Sequence, residues 1–327
     1  MDTLITRGKV AFTDYNELEF LMEPIAQGSD LKDFAYVSTA LRTNNVPIIN
    51  MSQPKSITGP KNGCAPAYYG GINFTNAVFP RELAEANMKF CNMDFKDTIL
   101  ANLTYDAARS IDEAYSQEFM NFTMEAYRRA VEYDVKKITF FGDKTSSSDV
   151  TTSTANGVFK FLTDFGVTAV ADNSGDPTPT GSSIVTLFTE VYRSAPQLLL
   201  NTPDENRVIL CSGTLYSALK AYLAENTTTN GFMIEQNAVG RITGISFFGI
   251  PIMPQPNWGE IENNGSAGIS NKIIYTVKGN IAVGLSFNSP DTYFRTYVDP
   301  ETMELKFLST YAIGTTVLYP QLVSWAK

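Results

Sequence analysis

One segment dictates much of what this chain can become: residues 106–133 read as a single amphipathic helix. Ala108, Ile111, Tyr115, Phe119, Phe122, Ala126 and Ala130 recur at intervals of three and four, the spacing that keeps one helical face dry. At about 1.5 Å per residue such a helix is on the order of 40 Å long, which suits a strut across a large subunit better than a filler of a compact core. It runs through a short connector into Phe140-Phe141-Gly142-Asp143, and a Ser/Thr-rich loop then leads to Asn156-Gly157-Val158-Phe159. The segments on either side do not read as a self-sufficient globule. They read as parts that need neighbours.

The clearest such part precedes the helix. Pro47, Pro54, Pro60 and Pro66, with Gly59, Gly63, Gly70 and Gly71, prevent a helix or a regular central strand from running through this stretch. It is longer than the roughly dozen residues beyond which a loop in a compact domain is usually functional or disordered. Ile72 to Phe79 and Ala86 to Phe95 follow as extended or short helical pieces, so the simplest reading is an excursion that leaves the body and returns. Ahead of it, Asp14 to Met22 is a short helix with Leu18, Phe20 and Leu21 apolar. It is either an ordinary N-terminal helix on its own domain or an arm lying on another subunit.

Composition narrows the function classes. A chain of 327 residues with 43% apolar content supports a substantial core of two or three structural units. There is no histidine, which removes the commonest general base, metal ligand and proton switch. Cys64, Cys91 and Cys211 stand far apart, without the close spacing of a zinc or redox motif, and read as reduced thiols. No Walker or dinucleotide glycine loop and no convergent acid pair is recognisable, so a soluble α+β enzyme is set aside. The net charge of −9 argues against a duplex-binding surface, and the long helix itself holds seven carboxylates between Asp106 and Asp134. Nucleic acid near such a protein is enclosed rather than gripped. No apolar run approaches the roughly 20 residues that cross a bilayer, and the opening Met1-Asp2-Thr3-Leu4 is no secretory signal, which leads to the expectation of synthesis and assembly in the cytoplasm.

Beyond the helix, residues 166–170 are strand-like and 172–183 form a linker rich in Asp, Pro, Gly and Ser. Ser182 or Ser183 then caps a helix bearing Ile184, Leu187, Phe188, Val191 and Tyr192, which ends before Pro196. Arg207 to Cys211 reads as a buried strand, and Thr214 as the cap of a helix presenting Leu215, Ala218, Leu219, Tyr222 and Leu223. Strand signals dominate the remainder: 245–253, 272–277, 281–287, 293–298, 303–308 and 314–318. Asp299 to Thr302 is a turn joining two of them, and 259–271 a mobile surface loop. The fold class is α+β.

This order of parts resembles the major capsid protein family of tailed bacteriophages, whose Hong Kong ninety-seven-type fold is shared by encapsulin compartments. The residues that carry the resemblance are the spine-like helix followed by Phe140-Phe141-Gly142-Asp143 and Asn156-Gly157-Val158-Phe159, and Arg207 to Ser212 leading into the helix 215–223. Phe248 to Pro254, Ile274 to Gly279 and Ala312 to Ala326 complete the set, and the match covers most of the chain from about Pro47 onward. The resemblance implies an N-terminal arm (1–46), an extended loop (47–95), a peripheral domain with the spine helix (96–181) and returning strands (288–327), and an axial domain (182–287).

It further implies a structural, non-enzymatic protein without cofactor or metal, self-assembling through pentamers and hexamers into an icosahedral virion head around double-stranded DNA. Scaffolding, portal and decoration proteins are the implied partners, with no sequence-specific DNA binding and no membrane. An encapsulin-like compartment holding a cargo enzyme is the alternative, because fold analogy does not separate the two. The absence of a long charged helical prefix implies a scaffold supplied separately or already removed. Lys55, Lys61, Tyr68, Tyr69 and Phe74 are the candidate inter-subunit contacts. Some family members cross-link a loop lysine to a neighbour's asparagine, but here nothing fixes the asparagine or the assisting acid, and cross-linking is not expected. The aromatics either anchor a neighbour or pack on their own subunit. Gly142, Asp143 and Gly157 form the fold-motif turn, with Asp143 bonding local backbone N–H groups rather than holding a metal or phosphate.

Overall fold

The computed structural model describes residues 30–38, 46–52, 73–91, 117–145, 149–170, 181–226, 231–236, 242–256, 258–262, 271–286, 291–299, 301–302 and 304–326. The short helix expected at 14–22 and the linker 172–180 lie outside them. The chain makes two compact units, one from residues 1–43, 81–160 and 283–315 and the other from 44–80, 161–282 and 316–327.

The first unit sets the long helix α1, Gln117–Phe141, against a sheet. Its 25 residues span about 37 Å. The helix continues eight residues past its expected end at Tyr133, through the supposed connector to Phe141, because Val135, Ile138 and Phe140 extend an apolar stripe and no Pro or Gly interrupts it before Gly142. The dry face also differs from the expected one. Met124, Tyr127, Val131, Val135 and Ile138 are buried, whereas Phe122 is 51% exposed and Ala126 and Ala130 face solvent. Two stripes of three-and-four spacing compete on this helix; the one that stays apolar to the last turn wins, while the other runs into Asp134 and Lys137. Ala108, Ile111 and Tyr115 lie outside the described residues, as does the side chain of Phe119.

The sheet runs β1 (Ala35–Ser38), β10 (Ile281–Ser286), β12 (Glu304–Val317), β11 (Tyr293–Val298), with β4 (Glu82–Cys91) also paired to β12. Antiparallel ladders place Leu305 to Ile313 opposite Phe90 to Glu82, and Leu305 to Thr310 opposite Val298 to Tyr293. One unbroken 14-residue strand replaces the two strands expected at 303–308 and 314–318. The β-branched and aromatic run Thr310, Tyr311, Ile313, Thr315, Thr316, Val317 carries it past Gly314. The Asp299 turn joins β11 to β12, with the Glu301 N–H donated to Asp299 Oδ1 at 3.0 Å and the Asp299 N–H to the Glu304 carbonyl at 2.9 Å.

Helix and sheet are held together at Tyr127. Its ring stacks on Phe307 at 5.3 Å and tilts against Phe294 at 5.9 Å, while its hydroxyl donates to the Ala86 carbonyl at 2.8 Å and lies 2.5 Å from Ser309 Oγ. Burial raises that hydroxyl's pKa to about 12.

Among its described residues the second unit holds a six-stranded sheet in the order β13 (Val323–Ala326), β9 (Ile273–Val277), β5 (Arg207–Ser212), β8 (Ile250–Gln255), β7 (Ile242–Phe247), β6 (Phe232–Gln236). β5 pairs parallel with β8 and antiparallel with β9. Ile184, Leu187, Phe188 and Val191 of the helix Ser182–Arg193, and Leu215, Leu219 and Leu223 of Gly213–Glu225, close over Ile209, Phe247, Ile252 and Tyr275. The caps shift from those expected: Gly181 precedes the first helix without a side-chain bond, and Ser212 rather than Thr214 accepts the Leu215 N–H at 3.1 Å.

The run 245–253 is a hairpin rather than one strand, turning at Phe248 and Gly249, whose φ values are 47° and 81°. Such a turn matches the strands' twist and needs positive φ at both centres. Residues 166–170 form no strand, yet Val170 donates its N–H to the Trp325 carbonyl and the Trp325 indole donates to the Val167 carbonyl, both at 2.9 Å or less. The expected loop 259–271 begins inside a short helix, Trp258–Glu262, anchored by buried Trp258. The C-terminal strand β13 pairs with β9 in this second unit, where the sequence reading kept residues 288–327 together in the peripheral part. Ser324 Oγ fixes it by donating to the Val191 carbonyl at 2.8 Å.

Candidate functional site

Two segments of the stretch read from the sequence as an excursion pair with each other as a ribbon. β2 (Val46–Ser52) and β3 (Asn73–Phe79) pair antiparallel from Val46 opposite Phe79 to Ser52 opposite Asn73. Among the described residues they form a two-stranded sheet of their own, joined to no other strand. Neither strand contains a charged residue. An isolated two-stranded ribbon is marginal in water and is normally completed by packing against something else. Lys55, Lys61, Tyr68 and Tyr69 lie outside the described residues. Phe74 sits in β3 opposite Met51, its side chain likewise outside them.

The turn predicted at Gly142, Asp143 and Gly157 is brought together in the first unit. The Gly142 N–H donates to the Ile138 carbonyl at 3.0 Å as the long helix ends, and the Gly157 N–H donates to the Gly142 carbonyl at 2.8 Å. Neither glycine has a positive φ; what excludes a side chain is the approach of backbone to backbone. A Cβ on Gly142 would stand 2.1 Å from the Ala155 carbonyl oxygen and 2.6 Å from that of Ile138, and a Cβ on Gly157 would stand 2.6 Å from both Gly142 N and Ile138 O. The two segments cross at van der Waals limit, and Phe141 and Phe159 meet beside the crossing with ring centroids 5.1 Å apart.

The loop between the glycines is tied at both ends by carboxylates. Asp143 Oδ1 accepts from the Thr145 hydroxyl at 2.6 Å and the Thr145 N–H at 2.9 Å, with Lys160 Nζ 3.7 Å away. The Thr145 hydroxyl bond, above all, holds its pKa below the usual carboxylate range. Asp149 pairs with Lys137 of the long helix and accepts the Thr151 N–H at 2.9 Å, and that lysine likewise lowers its pKa. The Asp143 N–H reaches the Thr152 carbonyl at 2.8 Å, Asn156 Oδ1 accepts the Lys144 N–H at 3.0 Å, and Lys144 Nζ reaches Glu82 at 2.6 Å. Sequence reasoning missed Lys137, Thr145, Asp149 and Thr152, and named Asn156 only as part of the Asn156-Gly157 motif. Only the recurrence of Asp and Thr around Gly142 hinted at them.

Chemically, this arrangement fixes backbone. Oδ1 of Asp143 and both oxygens of Asp149 are engaged by neighbouring N–H groups, a hydroxyl and lysines, and among the described residues no three His, Cys, Asp or Glu side chains gather as a metal site. Cys211 lies fully buried, its thiol pKa driven up by desolvation, the opposite of an activated nucleophile.

No protein-family model matches the sequence, and no curated protein matches it either. Solved structures do. A chain of the satellite phage P4 procapsid, a particle that includes the size determination protein Sid, is 11% identical with a TM-score of 0.57, over 94% of this chain and 98% of that one. A chain from Gordonia phage Cozz is 13% identical with a TM-score of 0.51, over 90% and 84% of the two chains. One from the capsid of cyanophage P-SCSP1u is also 13% identical, with a TM-score of 0.50 over 89% and 85%. At such identities the likeness is one of fold: the chain has the α+β fold of phage capsid proteins.

Proposed function

We propose that this chain is a major capsid protein that assembles through pentamers and hexamers into the icosahedral head of a tailed phage, around its double-stranded DNA. The observation that carries the reading is the structural likeness to the P4 procapsid chain, which extends over nearly the whole of both chains. In this reading residues 1–46 are an arm and 47–95 the extended loop. Residues 96–181 and 288–315 are peripheral, and 182–287 are axial together with 316–327, whose strand β13 pairs with β9. The role is structural, without cofactor.

The ribbon supplies the mechanism. A self-paired, uncharged two-stranded element gains its cover by lying across an adjacent copy, with Lys55, Lys61, Tyr68, Tyr69 and Phe74 as the contact candidates. Such head-to-tail contacts are heterologous, so they close into rings and the rings into a shell. Each contact is weak alone, but every copy makes several at once, and the closed shell is far more stable than a pair. The net charge of −9 suits a wall that does not adhere to the polyanion inside it. Scaffolding, portal and decoration proteins are the proposed partners, and the virion, assembled in the bacterial host's cytoplasm, the proposed location.

Expression of the full chain, followed by electron microscopy and analysis of particle contents, tests the proposal. Icosahedral particles of rings, loaded with DNA when made alongside neighbouring portal and packaging genes, are the expected result. A stable monomer at high concentration, with or without a scaffold, would overturn it. Particles holding a cellular cargo enzyme would assign the chain to a compartment instead.

A further inference from the structure

We draw no further inference here: the strongest candidate, the face of the β4–β12–β11 sheet away from the long helix, where Leu83 and Tyr293 stand exposed with Arg295 over the tyrosine ring, is an unpartnered surface patch, and nothing in the structure shows what covers it.

Discussion

Replacing Gly142 with alanine isolates the claim that two backbone segments are locked at the end of the long helix. The added Cβ would lie 2.1 Å from the Ala155 oxygen, 2.6 Å from the Ile138 oxygen and 3.0 Å from Gly157 N, all of them backbone atoms. No flexible side-chain end can swing aside, so the crossing itself must open by the better part of an ångström. Overpacking of this kind costs about 1–3 kcal/mol, and rigid backbone on every side places Gly142→Ala near the upper figure. Against it stands the smaller conformational freedom of alanine in the unfolded chain, about 0.4–1 kcal/mol. The net destabilisation is roughly 2–2.5 kcal/mol, which for a cooperative unit of about 150–250 residues lowers Tm by roughly 5–10 °C. Urea and thermal unfolding of the purified subunit read this directly. Gly213→Ala is the control, because the nearest atom to its Cβ is the Gln255 oxygen at 3.8 Å, and it should change stability by no more than about 0.5 kcal/mol. The double variant Gly142→Ala/Gly157→Ala should lose less than the sum of its parts, since both open the same crossing. If Gly142→Ala melts with the control, the crossing is not tight and the reasoning fails.

Other expectations follow from the same unit. Burial raises the pKa of Asp134 above the ordinary carboxylate range, with Lys137 opposing and Asp149 adding to the shift. Because the folded-state value lies above the unfolded one, its favourable contribution is present below the unfolded pKa and lost as pH rises through the folded value. Asp134→Asn should therefore raise Tm near neutral pH and flatten the profile just above the usual carboxylate range; an unchanged profile refutes this. Asp149, with its pKa lowered by Lys137, contributes in the opposite sense, its stabilisation being lost as pH falls through the folded value, and Asp149→Asn should remove that acid limb. Tyr127→Phe keeps the stacking on Phe307 but removes the bond to Ala86 and the contact with Ser309; denaturant titration should show a loss of about 1–2 kcal/mol. Val135→Asp puts a charge on the buried helix face and should unfold the subunit or lower its stability by several kcal/mol, whereas Phe122→Asp, on the exposed face, should stay within about 0.5 kcal/mol in the unassembled subunit. Equal melting of the two would reverse the assignment of the helix faces.

What the sequence disclosed was periodicity and punctuation. The long helix, the helix before Pro196, the strand Arg207–Ser212 and the Asp299 turn were legible because each is specified by its own residues. The helix face was not: Phe122, Ala126 and Ala130 satisfy the same spacing as Met124, Tyr127 and Val131, and only the sheet carrying Phe307 and Ser309 decides between them. The Phe248 turn was hidden because a phenylalanine occupies the left-handed position that usually announces itself as Asn or Gly. At the junction Gly142, Asp143 and Gly157 were noticed, but the reason for the glycines was not, since their need arises from the carbonyls of Ile138 and Ala155. A contact of that kind leaves no local signal in the chain. The prolines and glycines of residues 47–71 point to irregular, extended backbone, while the pairing register from Val46 opposite Phe79 to Ser52 opposite Asn73 is visible only in the structure.

Deleting residues Ser52 to Gly63 tests most directly whether the ribbon builds contacts between copies. The shortened chain should melt at the same temperature as the unassembled full-length subunit, because the helices and the two large sheets lie elsewhere in the sequence, and by sedimentation and electron microscopy should form no particles where the full chain does. Particles of normal size and yield from the deleted chain would contradict the account.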